Sequence, residues 1–339
     1  MAPVELLFLS QEDVVAAGGL DMAACMATIS ETLALHWRGE TIAPPKAAIH
    51  WSDDLDTDEK EGRIMAMPAY VGGSVHMTGL KWIPSVPGNP ARGLPRGIGL
   101  IVLSDPDTGL PVAVMEGTVC SAMRTGAVSG IAARLLASPR TRTLALIGAG
   151  VQARTQWLAL ELALPGLEEV RLFDLDRAKA ERFAVGHEGP FRVTGSAEEA
   201  VTGADVVVPA TMAPEPFIRG AWLVPGSLVL SVSSHEPAGE TIAAADLVVT
   251  DDLAHETYHA SRPLARAQAA GVLDDGAVVP LGAILASDHP GRTSQEQRIL
   301  VSPVGLGIED VAWATAVYRR AAELGIGARQ RLWNEPIWR

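Results

Sequence analysis

The apolar positions change period along the chain, and that change divides it. A short apolar run covers 6–10, and Ser10 with Asp13 three residues on makes a capping-box pattern for a first helix. Met22, Cys25, Met26, Ile29 and Leu33 then recur at helical spacing and predict a longer amphipathic helix. Strand-length apolar runs follow at 47–51, 63–70, 77–86, 98–104 and 111–116. Between the last two stands Asp105-Pro106-Asp107-Thr108-Gly109, whose residue types suit a hairpin turn. Strands in succession, with no helix between them, predict a mainly antiparallel sheet.

After Thr118 the texture becomes an alternation of strand and helix. Strand-like runs lie at 144–147, 170–173, 191–193, 205–209, 228–232, 247–249 and 299–302. Alternation of this kind requires parallel crossovers and predicts a doubly wound sheet. A last helix, 308–324, is expected to leave that domain and return to the first. The resulting division is 1–120 with 312–339 as one domain and 121–311 as the other. The acidic stretch 52–62 and the polar stretch 287–297 read as exposed loops.

One turn inside the second domain carries chemistry. Gly148-Ala149-Gly150-Val151-Gln152-Ala153 joins the apolar run 143–147 to a helical segment, 152–164. The next strand-like run, 170–173, closes on Asp174. Gly148 permits a tight turn, Gly150 lets backbone approach a pyrophosphate, and the small Ala153 lets helix and strand pack closely. The N–H groups of Val151 and Gln152 at the helix start, with the positive end of its dipole, suit phosphate. Strand, turn, helix, strand and acid in this order predict a Rossmann-type dinucleotide site. Asp174 would accept hydrogen bonds from the ribose hydroxyls and repel a 2′-phosphate, favouring NAD, while nearby Arg177 keeps NADP possible.

Composition narrows the partners. A chain of 339 residues exceeds what one core commonly holds, in keeping with two domains. Hydrophobic residues make up 48% and charged residues 20%, which suits a globular enzyme. The net charge of -13 argues against nucleic acid as a partner. No apolar run reaches the ~20 residues a membrane helix needs, and no basic region precedes the first apolar stretch. Cys25 and Cys120 sit in apolar helical patterns and read as buried thiols, so a cytoplasmic location is expected. His255-Glu256-Thr257-Tyr258-His259 matches a zinc-protease pattern. It lacks a third ligand at the right spacing and follows a strand of the nucleotide-binding sheet, so no metal is expected.

The first domain adds Gly79-Leu80-Lys81-Trp82, the turn 105–111 and Arg124-Thr125-Gly126-Ala127, and the chain closes with Ser-Pro-Val-Gly-Leu-Gly-Ile-Glu-Asp at 302–310. Together with 147–153, these resemble the ornithine cyclodeaminase/μ-crystallin family, from about residue 7 to the end. The resemblance implies an α/β fold: a Rossmann-type parallel sheet plus a second α/β domain, mainly antiparallel, that binds substrate and forms a homodimer. It implies an NAD(P)-dependent enzyme acting at the Cα of an amino or imino acid by hydride transfer. Lys46, Lys81 and Arg124 would hold the substrate carboxylate, with Arg124 and Thr125 also beside the cofactor. Thr211, Val304 and Gly305 would approach its nicotinamide half.

One departure bears on the chemistry. Cyclodeaminases carry an aspartate in the loop after the strand at 228–232; here the loop reads Ser231-Val232-Ser233-Ser234-His235-Glu236-Pro237. His235 is the nearest match, and with Lys81 it is a candidate for handling the proton. Met65 stands where a diamine substrate would call for an acid. The stretch 65–89 looks closer to dehydrogenases of N-(2-amino-2-carboxyethyl)-glutamate. Redox-neutral cyclodeamination and a non-catalytic nucleotide binder are the alternative readings.

Overall fold

The computed structural model describes residues 3–338 except 52–61, 214, 234–235, 259–261 and 275. The first segment forms β1 (Val4–Leu9), α1 (Gln11–Ala16), α2 (Met22–Trp37), β2 (Thr41–Ile42), β3 (Ala47–His50) and β4 (Arg63–Val71). It continues through β5 (Met77–Ser85), β6 (Leu100–Ser104), β7 (Pro111–Glu116) and α3 (Thr118–Leu136). The middle begins with β8 (Thr143–Ile147), α4 (Val151–Ala163), β9 (Glu169–Phe173), α5 (Arg177–Gly186), β10 (Phe191–Val193) and α6 (Ala197–Val201). It goes on with β11 (Val206–Pro209), β12 (Leu228–Leu230), α7 (Gly239–Ala243), β13 (Leu247–Thr250), α8 (Leu253–Tyr258) and α9 (Pro263–Ala269). After β14 (Val278–Pro280), α10 (Leu281–Leu285) and β15 (Ile299–Val301) come α11 (Gly307–Leu324) and β16 (Ala328–Trp333).

These elements make two compact units, Met1–Arg124 with Leu306–Arg339, and Thr125–Gly305. Arg124 and the start of α11 are tied to each other by ion pairs within the first unit.

In the first unit the sheet order is β16-β1-β7-β6-β5-β4-β2, with β3 also on β4. Every pairing is antiparallel except β1 with β7. The Asp105 turn joins β6 to β7, its Oδ1 accepting the N–H groups of Asp107 and Thr108. Ser10 caps α1 with the reciprocal Asp13 bond that their spacing predicts. Helix α11 lies across β4, β5 and β6, and α2 lies against α11. Strand alternation then sorts the side chains. Met77, Lys81, Ile101, Leu103, Ala113 and Met115 point to the helical side and are buried.

The other face of this sheet is apolar and open. Register places Phe8, Val114, Val102, Leu80 and Pro68 in one row across five strands. Leu100 lies opposite Trp82 in the next, and these two are 45% and 37% exposed. β16 escaped the sequence reading because Ala-Arg-Gln-Arg has no apolar alternation; it forms as an exposed edge strand on β1.

The second unit is the doubly wound one. Its order is β10-β9-β8-β11-β12-β15-β13-β14, all parallel. All four residues of β11 and of β13 are buried, as a sheet covered on both faces requires. From β8 the chain winds outward first to β9 and later to β11 on its other side. That reversal makes the carboxyl end of β8 a topological switch point, where ligands of such sheets bind.

Candidate active site

The glycine turn leaves β8 at that switch point. Gly148 adopts φ +100°, in the left-handed region, and its N–H donates to Phe173 O at 2.7 Å. A Cβ there would stand 2.5 Å from Ala210 O, so no side chain fits. Gly150 is the N-cap of α4 and brings no side chain to its first-turn N–H groups. Beside it a Cβ would meet only Lys179 Nζ, at 3.9 Å, which leaves the approach that a pyrophosphate needs. Ala153 is fully buried where α4 meets the sheet, and Val151 is exposed. Gln152 is half-buried on the first turn of the helix. These residues fit a dinucleotide cradle on packing grounds alone.

Asp174 follows β9. Its Oδ2 accepts the Ala149 N–H at 2.8 Å and lies 3.3 Å from Lys179 Nζ; its Oδ1 accepts the Asp176 N–H at 2.9 Å. Burial alone would raise this carboxyl, but the two N–H donors and the Lys179 ammonium outweigh it and hold it below the usual carboxylate range. Asp174 is therefore anionic at neutral pH and braced against the turn.

Two further features stand at the carboxyl ends of neighbouring strands. After β11, Thr211 donates its N–H and its hydroxyl to Glu236 Oε1 at 3.3 and 3.2 Å. The Ala213 N–H donates back to Thr211 Oγ1 at 3.2 Å, so this hydroxyl's proton is committed and the oxygen acts as an acceptor. After β13, Asp251 accepts the N–H of Val304 at 2.8 Å and of Gly305 at 2.5 Å, pinning the turn in which Gly305 takes φ +74°. Within the same unit, Gln156 Nε2 donates to Thr125 O at 3.4 Å.

The first unit holds the cations. Lys81 on β5 is 1% exposed, and Nζ lies 2.7 Å from Asp310 Oδ2 and donates to Ser121 Oγ at 3.0 Å. Arg124 on α3 donates through Nε to Asp310 Oδ1 at 3.1 Å and through Nη1 to Glu309 Oε2 at 2.7 Å. Glu309 and Asp310 are fully buried in the first turn of α11, where the helix dipole favours acids. Gly307 brings that turn close to β4: a Cβ there would lie 2.9 Å from Met67 O. Lys81 and Arg124 thus share one carboxylate. Burial first, then the Arg124 charge, pull the Lys81 amine down to about 8, against the opposing pull of Asp310.

The sequence reading named Lys81 and Arg124 but gave Glu309, Asp310 and Ser121 no role, although the two acids lie within a motif it quoted. Lys46 is half-buried between β2 and β3. His235 lies outside the described residues; Glu236 beside it is fully buried. In the zinc-protease pattern Glu256 is buried against Arg262, Nε to Oε2 2.7 Å, and His255 pairs with Asp252; His259 is outside the described residues. Glu256 is thus held in a structural ion pair.

Comparison with known proteins extends this geometry. The profile of the ornithine cyclodeaminase/mu-crystallin family matches residues 5–325. The N-((2S)-2-amino-2-carboxyethyl)-L-glutamate dehydrogenase of Staphylococcus aureus is 31% identical, over 97% of this chain and 99% of its own length. The structure of Thermococcus litoralis Δ(1)-pyrroline-2-carboxylate reductase, in complex with NADH and L-proline, superposes with a TM-score of 0.85 at 30% identity, covering 95% of this chain and 99% of that one. An archaeal alanine dehydrogenase dimer with bound NAD gives 0.86 at 31%, covering 97% and 100%.

Proposed function

The chain belongs to the ornithine cyclodeaminase/mu-crystallin family, and from that premise we propose that it is an NAD-dependent oxidoreductase acting at the Cα of an amino or imino acid. The observation that carries this reading is the buried Lys81 amine, held at about 8 within hydrogen-bond distance of Asp310 and Ser121 and coupled to Arg124. A lysine at this value can give and regain a proton near neutral pH. Of its three N–H groups, Asp310 and Ser121 take two, and the third serves the substrate nitrogen.

Bound nicotinamide supplies or accepts the hydride at Cα. The chain's own residues do the rest. Arg124, its planar fork fixed by Glu309 and Asp310, orients the substrate carboxylate, and Lys46 adds positive charge. In the reducing direction Lys81 protonates the nitrogen; in the oxidising direction it takes that proton back. Gly148, Gly150, Val151, Gln152 and Ala153 cradle the pyrophosphate, and Asp174 holds the ribose. Thr211, Val304 and Gly305 meet the nicotinamide half. NAD is the cofactor that a carboxylate at Asp174 favours, and NAD or NADH occupies two of the related structures.

The open apolar face of the first unit's sheet supports a homodimer, since patches of this kind mark interfaces; one related structure is itself a dimer. Among the described residues no helix is long and apolar enough to cross a membrane. Cys25 and Cys120 are buried and free, their thiols pushed well up by burial, which suits a reducing cytoplasm.

The test follows nicotinamide absorbance with purified protein. NADH is offered with α-keto acids and ammonia or amines, and NAD⁺ with the matching amino acids. Net turnover with any partner supports the reading. Binding of nucleotide without net turnover sinks it, and ammonia release from diamino acids would then identify redox-neutral cyclodeamination.

A further inference from the structure

One cation at the glycine turn has no part in the reading above. Lys179 lies in the first turns of α5 with its side chain 44% exposed. Its Nζ is 3.3 Å from Asp174 Oδ2, and among the described residues beyond the turn's own neighbours it is the atom that a Cβ on Gly150 would meet within 4 Å, at 3.9 Å. The ammonium is thus placed between the acid that faces the ribose and the glycine at which a pyrophosphate comes nearest. Arg177, which the sequence marked for a 2′-phosphate, is engaged elsewhere: its Nε donates to Glu181 Oε1 at 2.9 Å along the exposed face of α5.

Counting lone pairs shows why the lysine matters. A carboxylate offers about four acceptor positions. Ala149 N–H and Lys179 take those of Oδ2, and Asp176 N–H takes one of Oδ1. One position remains, whereas two ribose hydroxyls call for two. A ribose that binds Asp174 through both hydroxyls therefore displaces the lysine from Oδ2. The displaced ammonium sits on a flexible four-carbon stem, and the nearest new anion is a phosphate of the same ligand.

We propose that Lys179 is the phosphate-reading cation of this site, neutralising Asp174 in the free protein and passing to a phosphate of the dinucleotide when the ribose takes Asp174. The proposal rests on the dinucleotide reading of the second unit. The shared chemistry is a phosphate, which comes either from the pyrophosphate beside Gly150 or from a 2′-phosphate beside Asp174.

The experiment measures the Kd of NADH and of NADPH by nucleotide fluorescence, using the full chain as wild type, Lys179→Ala and Arg177→Ala. Alanine suits a half-exposed helical position, and the Lys179 backbone N–H bond to Asp176 is kept, so the variant folds; its thermal midpoint should match wild type. Lys179→Ala is expected to weaken binding by about tenfold, the scale of one charge-assisted contact. Loss for both nucleotides assigns the pyrophosphate, and loss for NADPH alone assigns the 2′-phosphate; either supports the proposal. Unchanged or tighter binding of both nucleotides overturns it, because the lysine is then only a cover on Asp174. Weakening of NADPH by Arg177→Ala in place of Lys179→Ala overturns it as well. Wild-type protein that binds neither nucleotide defeats the dinucleotide reading itself, which keeps the two failures apart.

Discussion

Lys81 stands between one cation and one carboxylate, and burial decides the outcome. Desolvation and Arg124 disfavour its charged form more than Asp310 favours it, so it titrates at about 8 and not in the usual lysine range. The sign of the resulting pH dependence depends on direction. Imine reduction needs Lys81 as the ammonium, so kcat/KM should be level below about pH 8 and fall above it. Amino acid oxidation needs the neutral amine, so its rate should rise through the same inflection. Initial rates in both directions between about pH 6 and 10 test this; parallel profiles in the two directions would remove Lys81 from the proton transfer. The family resemblance pointed to Lys81 and Arg124, and the structure buries both. Glu309 and Asp310 were not legible in the sequence, because acids in the first turn of a helix commonly face water and favour its dipole. Only the packing of α11 over β5 turns them inward to meet two cations.

At the scale of elements, the glycine turn was the most legible part of the chain. Its first glycine answers a backbone demand that only one residue type meets: φ +100° at Gly148 and an Ala210 carbonyl where a Cβ would go. Gly148→Ala is expected to lower the thermal midpoint, with a strain of about 1–3 kcal/mol, and to weaken NADH binding by more than tenfold as the turn shifts away from α4. Calorimetry and nucleotide titration check the pair of effects; an alanine variant that binds NADH as wild type would show that this turn does not shape the site. The neighbouring supports left no such trace. Asp251 acts on Val304 and Gly305 across 53 and 54 positions of sequence, and Glu236 on Thr211 across 25, so neither has a local pattern to read. The short strands β2 and β14 were missed for a related reason: two or three residues carry too little alternation to register.

For the molecule as a whole, the open row of Phe8, Val114, Val102 and Leu80, with Leu100 and Trp82 alongside, sets the expected assembly. Leu100→Asp places a charge in that face without touching Lys81 or Arg124. It should convert a dimer to monomer in sedimentation velocity while NADH binding persists; a wild-type protein that already sediments as a monomer would end the homodimer reading. The two sheets and their contrast in strand direction were readable from periodicity. The one parallel pair of the first sheet, β1 with β7, was not, because it depends on which edge the chain returns to.

The interleaved division of the chain also has a consequence in time. Thr125–Gly305 is contiguous, but the first unit is assembled from both sides of it. Arg124 finds Glu309 and Asp310 only 185 and 186 residues later. At ribosomal rates of 5–20 residues per second, that separation is roughly 10–40 s of synthesis. Through that interval Lys81 and Arg124 have been made but their counter-charges have not, and α11 has yet to cover β4, β5 and β6. A nascent chain can therefore complete the parallel sheet of Thr125–Gly305 while Lys81 and Arg124 still stand in water, and α11, made after that sheet, is the helix that closes them in.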